Sequence, residues 1–432
     1  MEIVYLICFL LLLACSEKDK REECVNEMVA EIKIPSKPKS VYKSEYLLSE
    51  IASTVDFVRL EITDKSLLRN IMDVKISERH ILVHDVEGVF LYTRNGKFLS
   101  KIGQKGQGPE EYTSIMLSIL DEEHKEIFLL SGQGGMKVYG YDGLFKRVVS
   151  DTNPKGWFYM ANPRFFLWQG FWFVNNRFPL TYPATDLWTW SLADRTFNIE
   201  EKYYNPTVLE HKDRIETQIG VLLNEPCLSE SEYATVDFYD GSFKMCYFAG
   251  DTIYKYDVAS RTFVPDYILS FEEKPTFEMA YSWGKQDIRF FDFLWKHDFL
   301  VSKDYLYLFL GRREDSYIAR YDLKTGGIQY YVFDNKVNER RPAPGIIHRI
   351  LDKRKLFFKN DLSGGGLFHV DYKSENGKYV IDWMDSEDID KYIDVEDLKK
   401  ETVKIPDCKN KLLKLLGQLS EDEQIVVIAT LK

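Results

Sequence analysis

Few residues in this chain have the types and spacing that chemistry needs. Gly103, Gly106 and Gly108 lead into Pro109-Glu110-Glu111, and successive backbone N–H groups in a glycine loop can face an anion. The Lys-Ser/Thr pair of a phosphate loop is missing, and the two glutamates bring negative charge where a phosphate would sit. The segment is therefore expected to be a crossover between sheets, using glycine for unusual φ values. His80 and His84 are four apart; on a strand this puts them on one face about 13 Å apart at ~3.3 Å per residue, too far to share a metal ion. Asp382, Asp385, Glu387, Asp388, Asp390, Asp394, Glu396 and Asp397 form an acidic cluster. Calcium favours several oxygen ligands, but the helical context predicts a solvated face. Gly-x-Ser-x-Gly, His-Glu-x-x-His and Asp-x-Asp-x-Asp-Gly patterns do not occur, so no residue is assigned a catalytic or metal-binding role and no cofactor is expected.

Aromatic residues supply the strongest composition bias. Trp157, Trp168, Trp172, Trp188 and Trp190 are five of the eight tryptophans, and in a β protein such rings are expected to pack between sheets. Trp157 follows the loop residues Asn153-Pro154-Lys155-Gly156 and is the candidate for stacking on a sugar or an apolar ligand. Cys24, Cys227, Cys246 and Cys408 lack paired-ligand spacing, so zinc is not expected. A Cys227–Cys246 disulfide is compatible with an oxidising compartment, and spacing alone does not establish it. Lys+Arg total 57 against 68 Asp+Glu, a formal net charge of −11, which makes polyanionic nucleic acid a poor partner.

The N-terminus points to that compartment. Residues 3–13 are an apolar run well short of the ~20 residues that span a bilayer. They end in Leu12-Leu13-Ala14-Cys15, followed by Ser16-Glu17-Lys18, which looks like the lipobox of a bacterial lipoprotein signal peptide; Glu2 departs from the basic start such peptides carry. The reading is a signal peptide over 1–14, acylation of Cys15, a flexible tether over 15–40 and a folded body over 41–432.

What must position any site is a repeat. Short alternating runs end on an aromatic, turn through polar residues and start again, with marker aromatics at Tyr92, Tyr141, Trp190, Tyr256, Tyr321 and Tyr372. Successive markers lie 49, 49, 66, 65 and 51 residues apart. Asn95-Gly96, Asp142-Gly143 and Asn376-Gly377 suit tight hairpins. Six such units predict an all-β, six-bladed β-propeller of four-stranded antiparallel blades. A helical segment spans 389–419, and strand 425–429 is expected to join early strand 57–61 and close the ring. The two long intervals place extra loops at 206–231 and 272–289, making Arg214, Glu216, Trp283 and Lys285 further ligand-binding candidates.

Phe57-Val58-Arg59-Leu60-Glu61, Val89-Phe90-Leu91-Tyr92 and above all Gly103-Gln104-Lys105-Gly106-Gln107-Gly108-Pro109-Glu110-Glu111-Tyr112 resemble the six-bladed β-propeller lipoproteins of gut-type Gram-negative anaerobes, a family itself similar to NHL-repeat propellers. The resemblance covers nearly the whole mature chain, although the glycine motif occurs once and not in every blade. It implies a cell-envelope address, facing periplasm or cell surface from the outer membrane, and supplies no catalytic residues. The expected function is a non-catalytic scaffold, held to the lipid bilayer through Cys15, that binds a glycan, peptide or envelope protein. The alternative is a propeller enzyme of the lactonase or lyase type, with a metal on the central axis.

Overall fold

The structure, a computed structural model, describes residues 29–38, 41–42, 44–131, 135–149, 165–175, 188–211, 234–247, 250–280, 288–313, 315–334, 356–420 and 423–432. The chain opens with β1 (Ala30–Ile34), β2 (Val41–Tyr42) and β3 (Ala52–Arg59). The first blade follows as β4 (Ile71–Ile76), β5 (His80–Asp85), β6 (Gly88–Thr93) and β7 (Phe98–Ile102), and the second as β8 (Ile115–Asp121), β9 (Glu126–Ser131), β10 (Met136–Gly140) and β11 (Phe145–Val148). The third is β12 (Phe165–Trp168), β13 (Phe171–Asn175), β14 (Trp188–Ala193) and β15 (Ile199–Tyr204). The fourth is β16 (Thr235–Tyr239), β17 (Ser242–Cys246), β18 (Thr252–Asp257) and β19 (Thr262–Phe271), and the fifth β20 (Trp295–Val301), β21 (Tyr305–Arg312), β22 (Asp315–Asp322) and β23 (Ile328–Asp334). A separate hairpin, β24 (Phe357–Lys359) with β25 (Leu367–His369), precedes the sixth blade, whose strands are β26 (Tyr372–Lys373), β27 (Tyr379–Met384), β28 (Ile425–Leu431) and the early β3.

This is the expected six-bladed ring, and strand composition explains it. The middle strands are apolar without a break: β9 is buried at every position and β5 at all but its first, because both faces of a blade meet a neighbour. Outer strands need no such cover, and β15, Ile-Glu-Glu-Lys-Tyr-Tyr, is mostly exposed. In the third and fifth blades the hairpins between the third and fourth strands are fixed by side-chain carboxylates. Asp194 accepts from the N–H groups of Thr196 and Asn198, and Asp322 from those of Lys324 and Thr325, the local bonding that makes Asp a turn former.

Ring closure joins the two ends of the chain. β28 pairs antiparallel with β27 on one side and β3 on the other, Ile425 opposite Arg59 and Val427 opposite Phe57, and Arg59 forms an ion pair with Glu423. Sequence reasoning missed the arm before it. β1 runs parallel along β19 and β2 along β23, so residues 30–34 and 41–42 lie on the outer edges of the fourth and fifth blades. Ile32 and Ile34 are buried there; over residues 30–34 the tether expected for 15–40 is thus replaced by an edge strand. Glu50 then accepts from Tyr307 and pairs with Arg320, tying the arm to the fifth blade.

Between β27 and β28 the chain forms helices Ser386–Tyr392, Val395–Lys400 and Pro406–Leu416, which bury Ile389, Leu398 and Leu412 in one core with Tyr46, Leu48, Phe357 and Phe368. The acidic cluster there is not the uniformly solvated face expected. Asp382 is buried in β27 and accepts from the His369 N–H at 3.0 Å, while Asp385 and Asp394 cap the first two helices.

Candidate functional site

The first strand of each blade is an edge of its sheet, and those of neighbouring blades approach one another: β26 with β4, β4 with β8, β8 with β12, and β16 with β20. Around the axis these strands carry charges that their otherwise apolar surroundings must neutralise. Lys373 of β26 is 2.9 Å from Asp298 of β20, also donates to the Phe299 carbonyl, and stands 3.9 Å from Asp237 of β16. One ammonium therefore links the fourth, fifth and sixth blades. The other Asp237 oxygen accepts from the Val301 N–H at 2.6 Å. Burial pushes the Asp237 carboxyl up to about 7, against the pull of Lys373 and the Val301 N–H.

A second group joins the sixth blade to the first. Lys75 pairs with Asp73 at 3.0 Å and lies 4.0 Å above the Tyr372 ring. The Tyr372 hydroxyl donates to Glu375, whose carboxyl is raised by burial against the nearby Lys75 charge. His84, opposite Asp73 on β5, is buried, and burial holds its imidazole below the usual range. Such arrangements suit cohesion between blades. Asp237 and Asp298 already serve Lys373 and backbone N–H groups, and among the described residues no group of three or more His, Cys, Asp or Glu side chains is placed to hold a metal ion.

None of the candidates read from the sequence is among these charged groups. Cys15, Trp157, Arg214, Glu216, Trp283, Lys285 and Cys227 all lie outside the described residues. Trp168, Trp172 and Trp190 are buried, Trp172 between Phe128 and Phe197 and Trp168 beside Phe173, Phe243 and Tyr256, the inter-blade packing expected of them. Cys246 is a free, buried thiol. The glycine loop is the expected crossover, running from β7 into β8. The axial charges were missed, and their signal was the mid-strand charge in Asp73, Asp237 and Asp298, with Lys373 ending β26, each on the strand that begins a blade.

One solved structure agrees with this architecture. A Bacteroides fragilis protein described as exported shares 17% identity and a TM-score of 0.56, over 93% of this chain and 100% of that one. The extracellular domain of a hybrid two-component system from B. thetaiotaomicron shares 11% identity with a TM-score of 0.35, and the match spans 35% of that longer chain. No curated protein matches the sequence. Residues 31–430 match a family described as a domain of unknown function, DUF4934. With nearly all of its folded body inside that match, the chain belongs to the DUF4934 family.

Proposed function

We propose that this protein is an extracytoplasmic propeller, tethered to a membrane through acylated Cys15, that acts as a non-catalytic scaffold for a glycan, peptide or protein partner. The observation that carries the reading is the inequality of the connections around the ring. From the first to the second strand of a blade the chain turns within a few residues, as from Ile76 to His80, Tyr239 to Ser242 and Val301 to Tyr305. From one blade to the next it takes much longer paths, from Tyr204 to Thr235, Phe271 to Trp295 and Asp334 to Phe357. Recognition surfaces concentrate on such connections, because packed strands cannot vary without disturbing their neighbours. The exported relative supports the address. No helix among the described residues is long and apolar enough to cross a membrane.

The test is a glycan and peptide array probed with the full chain and with Trp157→Ala, Arg214→Ala and Trp283→Ala variants. Binding that these changes weaken at least tenfold, and that Lys324→Ala in the tight turn from β22 to β23 leaves intact, supports the reading. Binding indifferent to all of them overturns the assignment to the long connections. Anchoring is read separately, by acyl-chain incorporation that Cys15→Ser abolishes.

A further inference from the structure

The direction of β1 fixes how the chain enters the ring. β1 lies parallel to β19, with Ala30 beside Tyr267 and Ile34 beside Phe271. β19 starts at the turn from β18 and ends at the connection to the fifth blade. The chain therefore reaches Ala30 from the end of the ring that carries the tight turns, and leaves Ile34 toward the end that carries the long connections. Its downstream side is pinned there: Ser36 donates its N–H and its hydroxyl to Glu272 at 2.8 and 3.0 Å, and Arg312 donates to the Ser36 carbonyl at 3.1 Å. The two ends of the ring differ in relief. On the entry side, the described turns from first to second strand and from third to fourth strand have two to five residues, as at 240–241 and 323–327. On the other side the chain passes between strands through residues 205–234, 272–294 and 385–424.

We propose that the tight-turn end of the ring is the surface that lies against the lipid bilayer, so that the long connections face away from it. This rests on the reading of Cys15 as the acylated residue and adds the orientation which that reading leaves open. Residues 16–29 separate Cys15 from β1, and a flexible chain of that length has an r.m.s. extent of about 20 Å. Ala30 is level with Tyr267, five residues from the Thr262 start of β19, which is ~17 Å at ~3.3 Å per residue. A tether is most effective when its r.m.s. length matches the span it bridges, and here the chain already points that way. The opposite orientation makes the tether reverse at Ala30, pass the level of Ile34 and clear the long connections before it meets lipid. A bilayer under the tight turns leaves the recognition surface assigned to the long connections open to soluble partners.

The test uses the full acylated chain in phosphatidylethanolamine–phosphatidylglycerol vesicles whose headgroups carry an acceptor dye. A donor dye is attached through an azide-bearing residue, one position per variant, at Val258 or Glu273 of the fourth blade and at Lys97 or Val86 of the first. All four positions are exposed; Val258 and Lys97 lie in tight turns, and Glu273 and Val86 at the other end of the same blades. Energy transfer from Val258 should exceed that from Glu273, and transfer from Lys97 that from Val86, by roughly twofold or more. Transfer that fails to favour the tight-turn end in both blades, as when the ring lies on its rim, overturns the orientation and leaves the anchor standing. Peptide mass spectrometry of the same samples reads the anchor: a Cys15 without acyl chains overturns the anchoring reading, and the orientation with it.

Discussion

Gly108 donates its backbone N–H to the Glu111 carboxylate at 2.8 Å, so the loop with the composition of an anion cradle is filled by its own side chain. A Cβ on Gly106 would sit 1.9 Å from the same carboxylate, and Gly106 and Tyr112 close the loop through backbone bonds to Tyr112 and Gln104. The acid that argues against phosphate in the sequence is the group that takes the phosphate's place. Glu111→Ala should lower the unfolding free energy by about 1 kcal/mol, the usual net worth of a half-buried hydrogen bond. Denaturant titration measures this, and millimolar phosphate should leave the wild-type melting temperature unchanged.

Glycines that look equivalent in the repeat should respond unequally to substitution. Gly96 has φ +85°, and a Cβ there would lie 2.0 Å from the Arg59 carbonyl oxygen, where the first blade's last hairpin meets the closing strand β3. Gly170 has φ +82° and open space around it. Gly170→Ala should cost only the left-handed backbone penalty, on the order of 1–2 kcal/mol. Gly96→Ala adds a collision with backbone and should exceed about 3 kcal/mol. Equal shifts in denaturation midpoint for the two variants would refute the difference.

Architecture was legible in the sequence because a blade covered on both faces writes continuous apolar strands such as Ile81-Leu82-Val83 and Ile127-Phe128-Leu129-Leu130, and because turn residues recur between them. The closing strand was legible for the same reason, since Ile425-Val426-Val427-Ile428 has no polar face. β1 was not: Ala-Glu-Ile-Lys-Ile alternates within a charged stretch, and only pairing with β19 shows that its two isoleucines are buried. The axial cluster was hidden because each blade supplies only one or two of its charges. Asp237 and Lys373 are separated by more than a hundred residues, and only ring closure brings them together.

Closure itself should be testable by truncation. β28 lies between β27 and β3, with Val426, Ile428 and Ala429 fully buried. Deleting residues 425–432 removes the one sheet partner that β3 has among the described residues and leaves two strand edges open to pairing with other chains. The truncated protein should lose its cooperative thermal transition and aggregate. A single sharp transition at the wild-type temperature would show that the ring holds without its C-terminal strand.

Two buried groups near the axis should pull the stability curve in opposite directions. Burial lowers the His84 imidazole from its ordinary 6.5, so the unfolded chain takes up a proton that the folded protein refuses. That contribution to stability is present above pH 6.5 and is lost as the pH falls below it. Asp237, raised to about 7, acts the other way, favouring the fold in acid and losing its contribution as the pH rises. Replacing each in turn separates them: His84→Phe should reduce the loss of stability between pH 6.5 and 5, whereas Asp237→Asn should make that loss steeper. The two measurements are differential melts of variant against wild type across the same buffers, and a shared sign for the two slopes would contradict the burial of one group or the other.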